Sequence, residues 1–219
     1  MSDASVCVPE NLVEALDHLA ADGLVAFPTE TVWGLAARAN SQRAVDRLRS
    51  FKDRALDQPI SVLIDGTPAL SSLGFSPNPL LLALAEAFWP GPLTLVIEGP
   101  ADAQLAQGIA GPTGAVGFRC SDHPLAKLLV REALGRGLGP LTATSFNRSG
   151  EKPVETQSQA ILLADSHNPE HVIALRVGPH DATGGAPSTV LNLTASGPRI
   201  LREGAIGKEA LAEVLAGFH

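Results

Sequence analysis

Phe27-Pro28-Thr29-Glu30-Thr31-Val32-Trp33-Gly34 is the stretch on which the reading of this chain turns. It closes Leu24 to Phe27, a short unbroken apolar run of the buried-strand type. Pro28 stops that run, three polar side chains follow, and a second apolar segment begins. Upstream, Leu12, Val13, Leu16 and Leu19 recur at helical spacing over Asn11 to Ala21, and Gly23 ends the helix. A helix feeding a buried strand that ends in a polar loop is a unit of α/β architecture, where ligands gather at strand ends. Thr29, Glu30 and Thr31 fit that role, and equally a turn that satisfies its own backbone. Trp33 reads as partly core.

The same alternation runs through the rest of the chain. Ser41 caps a helix to Phe51 with Val45, Leu48 and Phe51 on its apolar face, and Ile60 to Ile64 is a strand. Asn78 to Phe88 is a helix, and Trp89-Pro90-Gly91-Pro92 is a rigid turn into the strand Leu93 to Ile97. Gly114 to Arg119 is a strand, His123-Pro124 opens a helix to Leu134, and Leu141 to Thr144 is a strand ending at Ser145. Thr156 to Ala164 is a helix. Val172 to Val177, Ser188 to Leu193 and Arg199 to Leu201 are late strands, and Gly207 to Leu215 is a terminal helix. Consecutive strands near the end imply a mixed α/β sheet covered by helices.

Composition excludes several classes. At 219 residues, 45% hydrophobic and 18% charged, the chain can bury its core without a metal or disulfide staple. Its two cysteines, Cys7 and Cys120, make neither a disulfide framework nor a zinc motif, so no metal ligands are assigned. The start of the chain lacks a signal pattern and no apolar run spans a bilayer, so a cytoplasmic protein without membrane contact is expected. A formal charge of −7 argues against nucleic-acid binding over the whole surface.

Three further polar clusters follow apolar runs. Lys52-Asp53-Arg54 places two cations that converge on one anion if the helix has ended, and otherwise merely offset its dipole. Residues 55–59 beyond them suit a mobile cover. Ser145-Phe146-Asn147-Arg148-Ser149-Gly150 offers hydroxyls, an amide and a cation after a strand, or forms an ordinary turn. Gly184-Gly185-Ala186-Pro187-Ser188-Thr189-Val190 leads into a strand without the Gly-Lys-Ser/Thr ending of a P-loop. Arg119 and Arg202 add cations at strand ends. His123 reads as a cap.

These segments, with Trp-Pro-Gly-Pro-Leu-Thr at 89–94 and Leu-Arg-Glu-Gly-Ala at 201–205, resemble the YrdC-like threonylcarbamoyl-adenylate synthases in order and over nearly the whole chain. The resemblance implies one α/β domain over 9–206, a twisted mixed sheet around a deep concave cavity, with 207–219 a C-terminal helix packed on it. It implies that ATP, L-threonine and bicarbonate give threonylcarbamoyl-adenylate and pyrophosphate, that Mg²⁺ accompanies ATP, and that a tRNA-modifying transferase complex takes the product. By position, Lys52 and Arg54 would be catalytic and hold phosphates, with Ser145, Asn147 and Arg202 at the nucleotide. Thr31, Arg119 and Ser188 would hold threonine.

Phe27 and Trp33 stand where Tyr is frequent. Phe146 stands where Ala is usual, and would narrow the nucleotide pocket or pack behind it. Leu63 replaces a His found in some relatives. The chain resembles the short, single-domain branch. The competing readings are a double-stranded RNA or tRNA-binding module without synthase activity, a carbamoyl-transfer module of the hydrogenase-maturation type, and an inactive paralogue. Weak RNA binding at a basic cavity is compatible with the synthase.

Overall fold

The run Leu24–Phe27 forms β1 and turns back antiparallel as β2 (Gly34–Ala36), so the polar stretch between them is a loop at the edge of two buried strands. The computed structural model describes residues 8–55, 57–100, 102–166, 171–177, 184–194 and 197–218. Within them the remaining strands are β3 (Ser61–Leu63), β4 (Leu93–Glu98), β5 (Ala115–Arg119), β6 (Leu141–Ser145), β7 (Val172–Ala174), β8 (Thr189–Asn192) and β9 (Arg199–Arg202). They form one sheet in the order β7-β1-β2-β6-β3-β5-β4-β8-β9. The pairs β1–β7, β3–β5 and β4–β8 are parallel and the rest antiparallel, which is the expected mixed α/β sheet.

The helices are α1 (Leu12–Ala20), α2 (Gln42–Lys52), α3 (Pro68–Ser72), α4 (Pro79–Phe88), α5 (Pro124–Gly135), α6 (Gln157–Ser166) and α7 (Lys208–Leu215). Their starts follow side-chain chemistry. Asn78 accepts from the Leu81 amide at 2.8 Å, Ser41 from Ala44 at 3.4 Å and His123 Nδ1 from Leu125 at 3.2 Å. Thr156 Oγ1 accepts from Gln159 at 3.3 Å. α1 packs on β1, β7 and α5, α2 on β1, α6 on β7, and α7 on α4. Among the described residues no helix is long and apolar enough to cross a membrane.

Two elements go beyond the sequence reading: β2 and the short α3. The strand expected over Val172 to Val177 is formed over Val172–Ala174, and that at Ile60 to Ile64 over Ser61–Leu63. The turn before β4 carries a cis Trp89–Pro90 bond, and the Trp89 indole N–H donates to the Leu93 carbonyl at 2.8 Å.

Strand alternation divides the sheet into two unlike faces. Val62, Leu95, Val116, Phe118, Thr142 and Leu191 are buried. Their neighbours Ser61, Leu63, Thr94, Val96, Ala115, Gly117, Ala143 and Val190 line a cavity. Most of that second set is small, and a Cβ on Gly117 would lie 2.9 Å from Ser61 Oγ. The hollow exists because the middle of the sheet carries little side chain on that face.

Candidate active site

Helix α2 delivers the first cation. It ends at Lys52 because Asp53 takes the left-handed conformation, φ 47°, and this redirects the chain so that Lys52 and Arg54 both reach the cavity. The condition for their convergence is therefore met. Lys52 Nζ donates to the Ser145 carbonyl at 2.5 Å, the Asn147 carbonyl at 3.1 Å and Asn147 Oδ1 at 2.9 Å. Ser145 Oγ donates to the same Oδ1 at 2.6 Å, and the Asn147 amide donates to the carbonyls of Arg148 and Glu151. Lys52, Ser145 and Asn147 thus form one knot, with Asn147 as the clamp that aims the lysine.

Phe146 points away from this knot. It is fully buried and stacks on Phe51 at 5.6 Å between centroids. Of its two expected placements it takes the one behind the pocket, joining the loop to α2.

Arg54 donates to Thr144 Oγ1 at 3.3 Å and to the Pro59 carbonyl at 2.7 Å, and its buried Nε has no partner. Of residues 55–59, expected as a mobile cover, the described ones offer carbonyls to neighbouring arginines. Arg49 donates to the carbonyls of Ala55 and Gln58, and residue 56 lies outside the described residues.

Arg119, at the end of β5, donates through Nη2 to Thr31 Oγ1 at 2.7 Å, Glu30 Oε1 at 3.0 Å and Thr29 Oγ1 at 3.3 Å. Glu30 also accepts from the Ser121 hydroxyl. Arg119 is therefore neither loose nor on the surface: its side chain is 11% exposed and paired with a carboxylate 19% exposed. Burial raises the Glu30 carboxyl, but the charge of Arg119 and the Ser121 hydrogen bond outweigh it and the pKa is lowered. Glu30 holds Arg119 in place, a role the sequence alone did not assign.

On the far side, Arg202 donates through Nε and Nη2 to the Ser188 carbonyl at 3.1 and 2.7 Å, and through Nη2 to Ser188 Oγ at 3.0 Å. Ser188 Oγ also lies 3.1 Å from Thr94 Oγ1. Residues expected at two different substrates thus touch one another.

All eight residues singled out in the sequence, Thr31, Lys52, Arg54, Arg119, Ser145, Asn147, Ser188 and Arg202, line this one cavity of about 540 Å³. Among the described residues no Asp or Glu lines it. Burial lowers the pKa of Lys52 to about 8, with Arg54 adding to the effect, and lowers Arg54 and Arg202 as well. Arg54 is further lowered by Arg49 and Arg202, and Arg202 by Arg119. Arg119 has Glu30 as its counter-charge, but Lys52, Arg54 and Arg202 are buried cations with no carboxylate partner among the described residues, and such cations call for an anionic ligand. The buried N–H groups of Arg54 Nε, Arg119 Nε and Trp33 Nε1, from residues of the same wall, also have no partner. Trp33 is fully buried and still meets the cavity.

Among the described residues no group of three or more His, Cys, Asp or Glu side chains is placed to hold a metal. Mg²⁺ prefers oxygen ligands, often one or two carboxylates together with substrate phosphates. Among the described residues the cavity supplies only neutral oxygens beside its cations, so these residues do not fit a metal held by the protein itself.

Comparison with known proteins agrees with the geometry. The Sua5/YciO/YrdC family model, described as "Telomere recombination", matches residues 17–204. The threonylcarbamoyl-AMP synthase of Bacillus subtilis is 36% identical over 208 residues, covering 95% of this chain and 57% of that one. A Mycobacterium tuberculosis relative is 37% identical over 204 residues, covering 93% of this chain and 88% of its own. The structure of Pyrococcus abyssi Sua5 complexed with L-threonine superposes with a TM-score of 0.79 at 31% identity, over 93% of this chain and 57% of that one. Escherichia coli YciO, at 22% identity and a TM-score of 0.73, shares the fold over 91% of this chain and 92% of its own. The matched region runs from α1 through β9 and takes in the whole cationic cavity, and this chain belongs to the Sua5/YciO/YrdC family.

Proposed function

We propose that this protein is an L-threonylcarbamoyl-adenylate synthase, an ATP-dependent nucleotidyltransferase that converts L-threonine, bicarbonate and ATP into threonylcarbamoyl-AMP, pyrophosphate and water. One observation carries the reading: Lys52, Arg54, Arg119 and Arg202 line one cavity that no carboxylate of the described residues lines, in a chain whose formal charge is −7. That arrangement suits a triphosphate beside an amino-acid carboxylate.

In this reading Lys52 and Arg54 clamp the phosphates, with Ser145 and Asn147 supporting Lys52 and Arg202 at the nucleotide. Arg119 takes the threonine carboxylate, with Thr31 and Ser188 beside it. The neutral threonine amine adds to the carbon of bicarbonate or of carbon dioxide derived from it, and water is lost. A carbamate oxygen then attacks the α-phosphorus, the bond to the bridging oxygen breaks, and pyrophosphate leaves with the electron pair. Lys52 and Arg54 stabilise the charge that builds on the phosphates, and the apolar floor limits water around a labile intermediate. Mg²⁺ would accompany ATP, and among the described residues no carboxylate lines the cavity to hold it. The product would feed a downstream complex that modifies tRNA, and the protein would work in the cytosol.

Pyrophosphate release from ATP, with threonine and bicarbonate omitted in turn, tests the reading. Release that needs both is expected. Release that ignores threonine, or its absence from folded protein supplied with every substrate, would overturn it.

A further inference from the structure

The buried stripe of α2 carries two cations, Arg49 and Lys52. Val45, Leu48, Arg49 and Lys52 recur at three- and four-residue steps and all are buried, Arg49 to 5% exposure. Arg49 does not reach the cavity. Its Nη1 donates to the carbonyls of Arg54, at 3.4 Å, and Ala55, and its Nη2 to those of Gln58, at 3.1 Å, and Gly108, at 2.5 Å. The Arg49 carbonyl accepts the Arg54 amide at 3.0 Å. One buried guanidinium therefore gathers the turn that carries Arg54 and ties it to a segment more than fifty residues away.

Gly108 shows that the neighbouring segment is shaped for this contact. Its φ is +84°, and a Cβ there would lie 2.3 Å from Arg49 Nη2 and 2.7 Å from Cζ. Glycine is required both by the backbone and by the approach of the guanidinium. A planar fork of five N–H groups can satisfy several carbonyls at once, which a lysine ammonium on a flexible stem does poorly.

We infer that Arg49 is a positioning residue for the reaction: seated against Gly108, it holds the turn bearing Arg54 so that Arg54 faces the nucleotide phosphates. This rests on the nucleotide-binding reading above. The cavity wall is then built in advance, and affinity for the triphosphate depends on a side chain that never touches it.

The test measures binding of a fluorescent ATP analogue and of threonine to wild type, Arg49→Met, Gly108→Ala and the double variant. Wild-type protein that fails to bind the analogue defeats the functional reading and this inference with it. Given wild-type binding, Arg49→Met is expected to weaken the nucleotide about tenfold or more and threonine much less. Gly108→Ala should act in the same direction, with the double variant no worse than Arg49→Met alone. Unchanged nucleotide affinity in folded Arg49→Met, or equal losses for both ligands, overturns the inference. Should the variants not fold, hydrogen exchange in wild type decides. Protection of the Arg54 and Gln58 amides comparable to α2 supports the tie, and free-peptide exchange rates there overturn it.

Discussion

Burial draws the Lys52 ammonium down to about 8 from its usual 10.5, and the charge of Arg54 pulls the same way. Between those two values the unfolded chain binds the more protons, so the free protein gains stability as pH rises through that window. Below it the full cost of the buried charge is present. A bound polyphosphate favours the ammonium and moves its pKa back up. Nucleotide affinity should therefore fall as pH rises above about 8, and binding near pH 8 should take up part of a proton. Calorimetry in two buffers of different ionisation enthalpy measures that uptake; a count of zero would remove Lys52 from the phosphate site. Glu30 makes a different demand. Glu30→Ala leaves Arg119 buried among hydroxyls without its counter-charge, and should cost about 2 kcal/mol in urea unfolding and weaken threonine binding. Equal stability would mean that the two threonines suffice to hold Arg119.

At the scale of elements, capping and catalysis separate cleanly. Asn78 starts α4, and neither it nor the helix contributes to the wall of the cavity. Asn78→Ala should lower stability by about 1 kcal/mol and leave pyrophosphate release unchanged; a loss of turnover would mean that α4 communicates with the site. The elements that were legible in the sequence were long, periodic or punctuated: the stripe of α1, the cap of α2, the Pro-led starts of α4 and α5. β2 was missed because three residues carry no measurable alternation, and α3 because five residues complete little more than one helical turn. The convergence of Lys52 and Arg54 was legible as a condition, and the left-handed Asp53 meets it. Arg49 had a visible signal, a cation four residues after Val45 on the buried stripe, which was read as an ordinary helix. The Glu30–Arg119 pair had none, because its partners lie 89 residues apart and only the sheet brings them together.

Taken whole, the molecule sets a cationic cavity in an acidic body. Sequence alone conveyed the clusters but not their confluence, which depends on which strands become neighbours in the order β6-β3-β5-β4-β8. Local field and net charge oppose one another here, so nucleotide binding should be salt-sensitive despite the acidic pI. Raising ionic strength from about 0.05 to about 0.5 M should weaken ATP binding more than binding of zwitterionic threonine. Equal salt dependence would indicate that the cations are not the main source of nucleotide affinity.

The floor of that cavity has a consequence of its own. Its depth comes from side chains kept short at Ser61, Ala115, Gly117 and Ala143, while the strands beneath run on unaltered. Room for ligand is thus tuned one methyl group at a time, independently of the scaffold. Such a floor works as a template with interchangeable pegs: raising one peg would shut out the natural substrate, and lowering another would admit a bulkier analogue, so the same sheet could be fitted to a substrate of a different outline.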